Sequence, residues 1–114
     1  MAQMLDFNAI SQPTWPVKLK DDNQTVVNLA APTVQLVDRL IAMTPELEKA
    51  KKTKDGKTIR AVYQLVAEVM NCNEDGFVFT VEELRDTYKL TLYDVYAFVA
   101  GYFTFIKEIQ EAKN

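Results

Sequence analysis

Apolar and polar positions change their period once along this chain. Trp15, Val17 and Leu19 alternate with Pro16, Lys18 and Lys20, and Thr25, Val27 and Leu29 repeat the alternation after the turn-forming run Asp21-Asp22-Asn23-Gln24. A period of two marks a half-buried strand, so residues 15–29 are predicted to form a β-hairpin. Pro13 and Pro16 have no N–H to give a ladder, which makes the first strand an edge. Leu5, Phe7 and Ile10 precede it as an earlier strand or as a cap on the core.

From Ala31 the spacing becomes helical. Pro32 suits a first helical turn, and Leu36, Val37, Leu40, Ile41 and Met43 follow at helical steps. Thr44-Pro45-Glu46 reads as N-cap, N1 proline and first-turn acid, so the helix kinks there or a second one begins. The stretch Lys49–Lys57, KAKKTKDGK, reads as a solvated linker ending in an Asp55-Gly56 turn. A helix is expected over 58–71, with Ile59, Val62, Tyr63, Val66, Val69 and Met70 on one face and Arg60, Gln64 and Glu68 on the other. Asn73–Gly76 is a turn and Phe77-Val78-Phe79 a short extended piece. Thr80 and Glu83 have capping-box spacing and open a short helix to about Tyr88. Thr91 and Asp94 cap a last helix reaching about Ala112. These elements add up to one α+β domain over 1–114, mostly helical. A hairpin region over about 1–30 packs on four to five α-helices over about 31–114.

Composition narrows the chemistry. The 114 residues suffice for one core, and 48% hydrophobic with 25% charged residues argues against disorder. With no histidine, imidazole triads, histidine bases and the usual zinc sites are absent. Cys72 is the single cysteine; it allows no intrachain disulfide and reads as a small buried apolar side chain. Three glycines compose no phosphate loop. A net charge of −3 argues against a nucleic-acid partner. The most apolar stretch, Leu92–Ile106, is shorter than the ~17–25 residues of a membrane span and carries Asp94. No secretory signal opens the chain. The basic run Lys49, Lys51, Lys52, Lys54, Lys57 and Arg60 is interleaved with acids and reads as a solvated surface. No catalytic constellation and no cofactor site emerge.

Two segments retain a functional reading. Asn71, Asn73, Asp75, Gly76, Val78 and Glu82 occupy positions 1, 3, 5, 6, 8 and 12 of an EF-hand calcium loop. Asparagine at position 1, Phe79 at position 9 and the missing second loop weaken that match. A helix stop, an Asp-Gly turn and a capped helix start account for the same residues. The other segment is the last helix, where Leu92, Val95, Val99, Tyr102, Phe103, Ile106 and Ile109 form a core stripe. Tyr93, Tyr96, Phe98 and Phe105 lie on its other sides. A helix apolar all round must be covered all round. Either it is the central helix of the domain, or Tyr93, Tyr96, Phe98 and Phe105 form a surface for a client helix or a second copy of the chain.

The order of these signals resembles the small tail assembly chaperones of long-tailed phages and prophages of Gram-positive bacteria. The similar parts are Leu5-Asp6-Phe7-Asn8, the hairpin, and Ala31-Pro32-Thr33 opening a helix with Leu40 and Met43. Further on come Val69-Met70-Asn71-Cys72-Asn73 with Gly76, Thr80-Val81-Glu82-Glu83-Leu84, Tyr102-Phe103-Thr104-Phe105-Ile106 and Lys113-Asn114. The resemblance implies a non-enzymatic protein of the host bacterial cytoplasm. Such proteins bind the tape-measure protein, keep it soluble, help recruit tail-tube subunits and leave the mature particle. It also implies a longer frameshifted form in many genomes, and no catalytic residues. The rival readings are a single EF-hand-like calcium module and a small subunit retained in the particle.

Overall fold

The computed structural model describes residues 3–7, 10, 12–52 and 55–111. Strands β1 (Thr14–Lys18) and β2 (Val26–Ala30) pair antiparallel, with Trp15 opposite Leu29 and Val17 opposite Val27. This is the expected hairpin. Its turn is closed by Asp21, whose carboxylate accepts from the Thr25 N–H at 2.8 Å and from the Thr25 hydroxyl, while its carbonyl accepts from the Gln24 N–H.

The far side of β2 is occupied by the chain after the third helix. Ala30 N–H donates to the Cys72 carbonyl at 2.7 Å, Glu74 N–H donates to the Asn28 carbonyl at 2.9 Å, and Leu29 bridges Asn73. Asn28 and Ala30 therefore turn their main-chain groups away from β1. By the register, Thr14, Pro16 and Lys18 turn theirs to the open edge. Pro16 leaves no unpaired N–H there, which blunts the edge against a further strand.

Four helices follow: α1 (Val34–Ala42), α2 (Thr44–Lys52), α3 (Gly56–Met70) and α4 (Leu92–Glu111). Thr33 caps α1 by accepting from the Leu36 N–H at 3.2 Å, so Pro32 lies outside the helix rather than in its first turn. Met43 ends α1, and a second helix begins at Thr44 instead of a kink, but the Thr44 side chain does not cap it. The Thr44 hydroxyl donates back to the Leu40 carbonyl.

The expected linker is helix as far as Lys52. Lysine, glutamate and alanine are good helix formers, and Leu47 and Ala50 give α2 a buried edge. Thr53 and Lys54 lie outside the described residues. Asp55 is the N-cap of α3, accepting from the Lys57 N–H and the Thr58 hydroxyl, so Asp55-Gly56 starts a helix rather than making a free turn.

The central helix is α3, not α4. It buries eight of its 15 residues, against four of 20 in α4. Val62, Val66, Val69 and Met70 follow the expected face, and Leu65 and Ala67 widen it until α3 is covered from most directions. Leu29, Leu40, Leu84, Val95 and Tyr102 close the core around it.

The capping box forms as expected: Glu83 N–H donates to Thr80 Oγ1 at 3.1 Å and Thr80 N–H to Glu83 Oε1 at 3.2 Å. The helix it opens widens within one turn into a π-helical segment, Glu83–Thr87, closed by Tyr88 N–H on the Glu83 carbonyl. Leu5, Phe7 and Ile10 form neither strand nor core cap; all three are exposed. The end of the last helix at Ala112 lies outside the described residues.

Candidate functional site

Helix α4 presents three stripes, each set by helical spacing. Val95, Val99 and Tyr102 face the core. Phe98, Gly101, Tyr102 and Phe105 face β1 and receive Trp15. Its indole sits 5.5 Å from Phe98, 6.1 Å from Tyr102 and 6.3 Å from Phe105, ring centre to ring centre. Phe98 and Tyr102 stack on each other at 6.2 Å. Tyr93, Ala97, Ala100 and Thr104, at i, i+4, i+7 and i+11, face solvent.

The hairpin is fastened to the start of α4 by an ion pair between Lys20 and Asp94. Asp94 also caps α4, accepting from the Thr91 N–H at 2.9 Å. The Lys20 ammonium, with help from the Thr91 N–H, holds the Asp94 carboxyl below its usual value. At the other end of the stripe Tyr102 is buried, and desolvation pushes its phenol far above the usual range. Its hydroxyl points at the Ala30 carbonyl, 3.5 Å away.

The four residues expected to form one aromatic surface are divided by this packing. Phe105 is core, buried under Trp15, and Phe98 is half-buried beside the same indole. Tyr96 lies on another side of α4, with the Lys51 ammonium 5.4 Å from its ring centre, a cation–π contact from α2. The Tyr96 hydroxyl is buried without a hydrogen-bond partner. Tyr93 alone stands free, 82% exposed. Trp15 covers the side that Phe98 and Phe105 leave apolar. A single tryptophan opposite the one glycine of an aromatic helix was the available sequence signal for this docking.

Beside Trp15 the surface opens into an apolar cleft of about 560 Å³, walled by Pro13, Trp15, Pro16, Phe105 and Ile109 with Glu108 at its rim. Sequence reasoning gave no sign of it, because it forms between two segments ninety residues apart in the chain.

The EF-hand-like loop is held by its own polar side chains. Asn71 braces Phe79, accepting from its N–H at 2.6 Å and donating to its carbonyl at 3.1 Å. Asn73 donates to the Met70 and Phe77 carbonyls and accepts from the Asp75 and Phe77 N–H groups. Asp75 turns to β2, accepting from the Asn28 N–H at 2.7 Å. Glu82 is 3.6 Å from the Arg60 guanidinium. Gly76 takes the positive φ of 79° that the tight turn requires. The side chains at positions 1, 3, 5 and 12 thus point at separate partners rather than at a common centre. Among the described residues no three His, Cys, Asp or Glu side chains group to hold a metal ion.

Cys72 is exposed rather than buried, because residues 72–75 run along the rim of the sheet. Partial desolvation and the nearby Glu68 carboxylate raise its thiol pKa. Among the described residues no helix is long and apolar enough to cross a membrane. Comparison with protein-family models, curated proteins and solved structures finds no match to this chain.

Proposed function

We propose that this protein is a non-enzymatic assembly chaperone of a long-tailed phage or prophage, acting in the host cytoplasm on the tape-measure protein and aiding addition of the tail-tube protein. The observation that carries the reading is the solvent-facing stripe of α4. Tyr93, Ala97 and Ala100 put apolar surface into water over two helical turns, with Thr104 the first polar side chain along it. A soluble helix ordinarily gives its outer face to charges. A stripe of small residues ending in an exposed tyrosine instead lets a second helix approach closely and supplies an aromatic anchor. A long client protein kept in solution needs such a surface. The order of sequence signals from Leu5 to Phe105 supports the same reading.

Co-expression with the tape-measure protein tests it. Ala100→Glu and Tyr93→Asp alter side chains that no neighbour covers, so the melting transition should stay near that of the parent protein. In a complex each puts an unpaired charge into the contact, and client affinity should fall at least tenfold. Variants that fold normally and bind the tape-measure protein as tightly as the parent would reject the proposal.

A further inference from the structure

The solvent-facing stripe of α4 is flanked by ammonium groups on both sides, in a chain whose net charge is −3. Tyr96, three residues after Tyr93 and four before Ala100, borders the stripe on one side. The Lys51 ammonium of α2 sits there, 5.4 Å from the Tyr96 ring centre. On the other side a groove of about 300 Å³ runs between the hairpin and α4. Ala97 forms part of its wall, the buried Leu19 and Met70 line its interior, and Lys18 and Lys20 line it from the hairpin. We infer, on the client reading of this stripe, that the client segment is an acidic amphipathic helix. Its apolar seam lies on Tyr93, Ala97 and Ala100, one of its large apolar side chains enters the groove, and carboxylates on its two borders meet Lys18 on one side and Lys51 on the other.

Charge selects the acidic client. Asp94 is the carboxylate in the groove wall, and Lys20 already holds it, so Lys18 leaves that flank with a positive charge in excess. Lys51 has Glu48 at 3.5 Å, but both side chains are at least half exposed, and a surface pair of this kind holds too weakly to keep out a second carboxylate. A basic helix would set like charges against both flanks, and a wholly apolar one would take water from both ammoniums and give nothing back. A second copy of this chain fits no better. Its own stripe carries lysines on both borders, so ammonium would meet ammonium whichever way the two helices ran.

Shape selects a helix with one deep anchor. Ala97 and Ala100 have no side chain beyond Cβ, so a second helix can lie close along them. The groove opens beside Ala97, where a side chain projecting from that helix needs a hole. About 300 Å³ stands at the small end of ligand sites, which suits a side chain rather than a whole element.

Carbodiimide joins an amine to a carboxylate only where the two touch, and it reads the pairing directly in the complex with the tape-measure protein. Mass spectrometry should find Lys18 and Lys51 each joined to an aspartate or glutamate of the client. Client affinity should fall on the order of tenfold between about 50 and 500 mM salt, as screening shortens the reach of the charges. Lys18→Glu alters an exposed side chain, so its melting curve should stay near that of the parent, while low-salt affinity falls about fivefold or more and the salt dependence flattens. Trp15, the single tryptophan, lines the same groove, so its emission, read against that of the client alone, should shift to the blue as the anchor excludes water. Cross-links that miss both lysines, an affinity indifferent to salt, Lys18→Glu bound as tightly as the parent, or an unchanged Trp15 emission at saturation would each overturn the acidic helix. Failure of the client reading itself looks different: there Ala100→Glu and Tyr93→Asp change nothing, whereas here they weaken binding and Lys18→Glu does not.

Discussion

Gly101 lies directly beneath the indole of Trp15: a Cβ at position 101 would fall 2.7 Å from both Cη2 and Cζ2 of the ring. Nothing in α4 itself asks for glycine, which costs a helix interior about 1 kcal/mol relative to alanine. The close approach does. Phe98, Tyr102 and Phe105 surround the indole, so it cannot swing aside without giving up three ring contacts.

Gly101→Ala should therefore destabilise the protein. Overpacking of this kind costs about 1–3 kcal/mol, and the helix-propensity gain offsets about 1 of it. In a Trp15→Ala background the clash is gone and the same change should stabilise by up to about 1 kcal/mol. Urea denaturation of the four proteins, treated as a double-mutant cycle, measures the reversal of sign. A Gly101→Ala effect that is the same in both backgrounds would show that the indole does not rest on this glycine.

The loop after α3 yields a second prediction. Asn73 spends its carboxamide on four main-chain groups of its own turn. Asn73→Ala should cost about 1–3 kcal/mol, since several bonds of about 1 kcal/mol each are lost at a half-exposed site. Calcium should not restore that stability, nor raise the melting temperature of the parent chain, because Asn71, Asp75 and Glu82 are directed elsewhere. Titration calorimetry with calcium on the metal-free protein, beside thermal melting, checks both. A micromolar dissociation constant abolished by Glu82→Gln would establish the loop as an ion site.

A third prediction concerns acid. The Asp94 carboxyl is held below its unfolded value of 3.8 by the Lys20 ammonium and the Thr91 N–H. A depressed folded-state pKa gives stability that is present above the unfolded value and lost as the pH falls through the folded one. The hairpin should thus loosen from α4 only below about pH 4, and Asp94→Asn should be less stable than the parent at pH 7. The gap between them should shrink as the pH falls through the depressed folded-state value, where the parent carboxyl also becomes neutral. Denaturation midpoints at several pH values follow this. A gap that does not change with pH would place the effect of Asp94 in its helix-capping bonds rather than its charge.

Much of the architecture was legible locally. The two-residue alternation of Trp15, Val17, Val27 and Leu29 sufficed for the hairpin, because a strand with one buried face has one workable register. The Thr80–Glu83 box was equally readable, since donor and acceptor lie within one helical turn. The lysine-rich segment misled for a complementary reason. Charge suggested a linker, but burial of Leu47 and Ala50 recruits Lys49, Lys51 and Lys52 into α2. The turn chemistry of Asp55-Gly56 serves a helix N-cap as readily as a loop.

The sequence by itself determined the hairpin, the helix starts at Thr80 and Thr91, and an α4 too apolar to stand alone. These follow from spacing and hydrogen-bond chemistry within a few residues. Only the tertiary structure decided which sides of α4 are covered. Trp15 crosses from β1 to close the Phe98–Phe105 side, Lys51 crosses from α2 to Tyr96, and Tyr93, Ala97 and Ala100 are left to water. It also decided that residues 72–75 edge the sheet and that Cys72 is exposed. The physical reason is the same in each case. Helical periodicity says which side chains share a face, but what lies against that face depends on contacts between segments far apart in the chain.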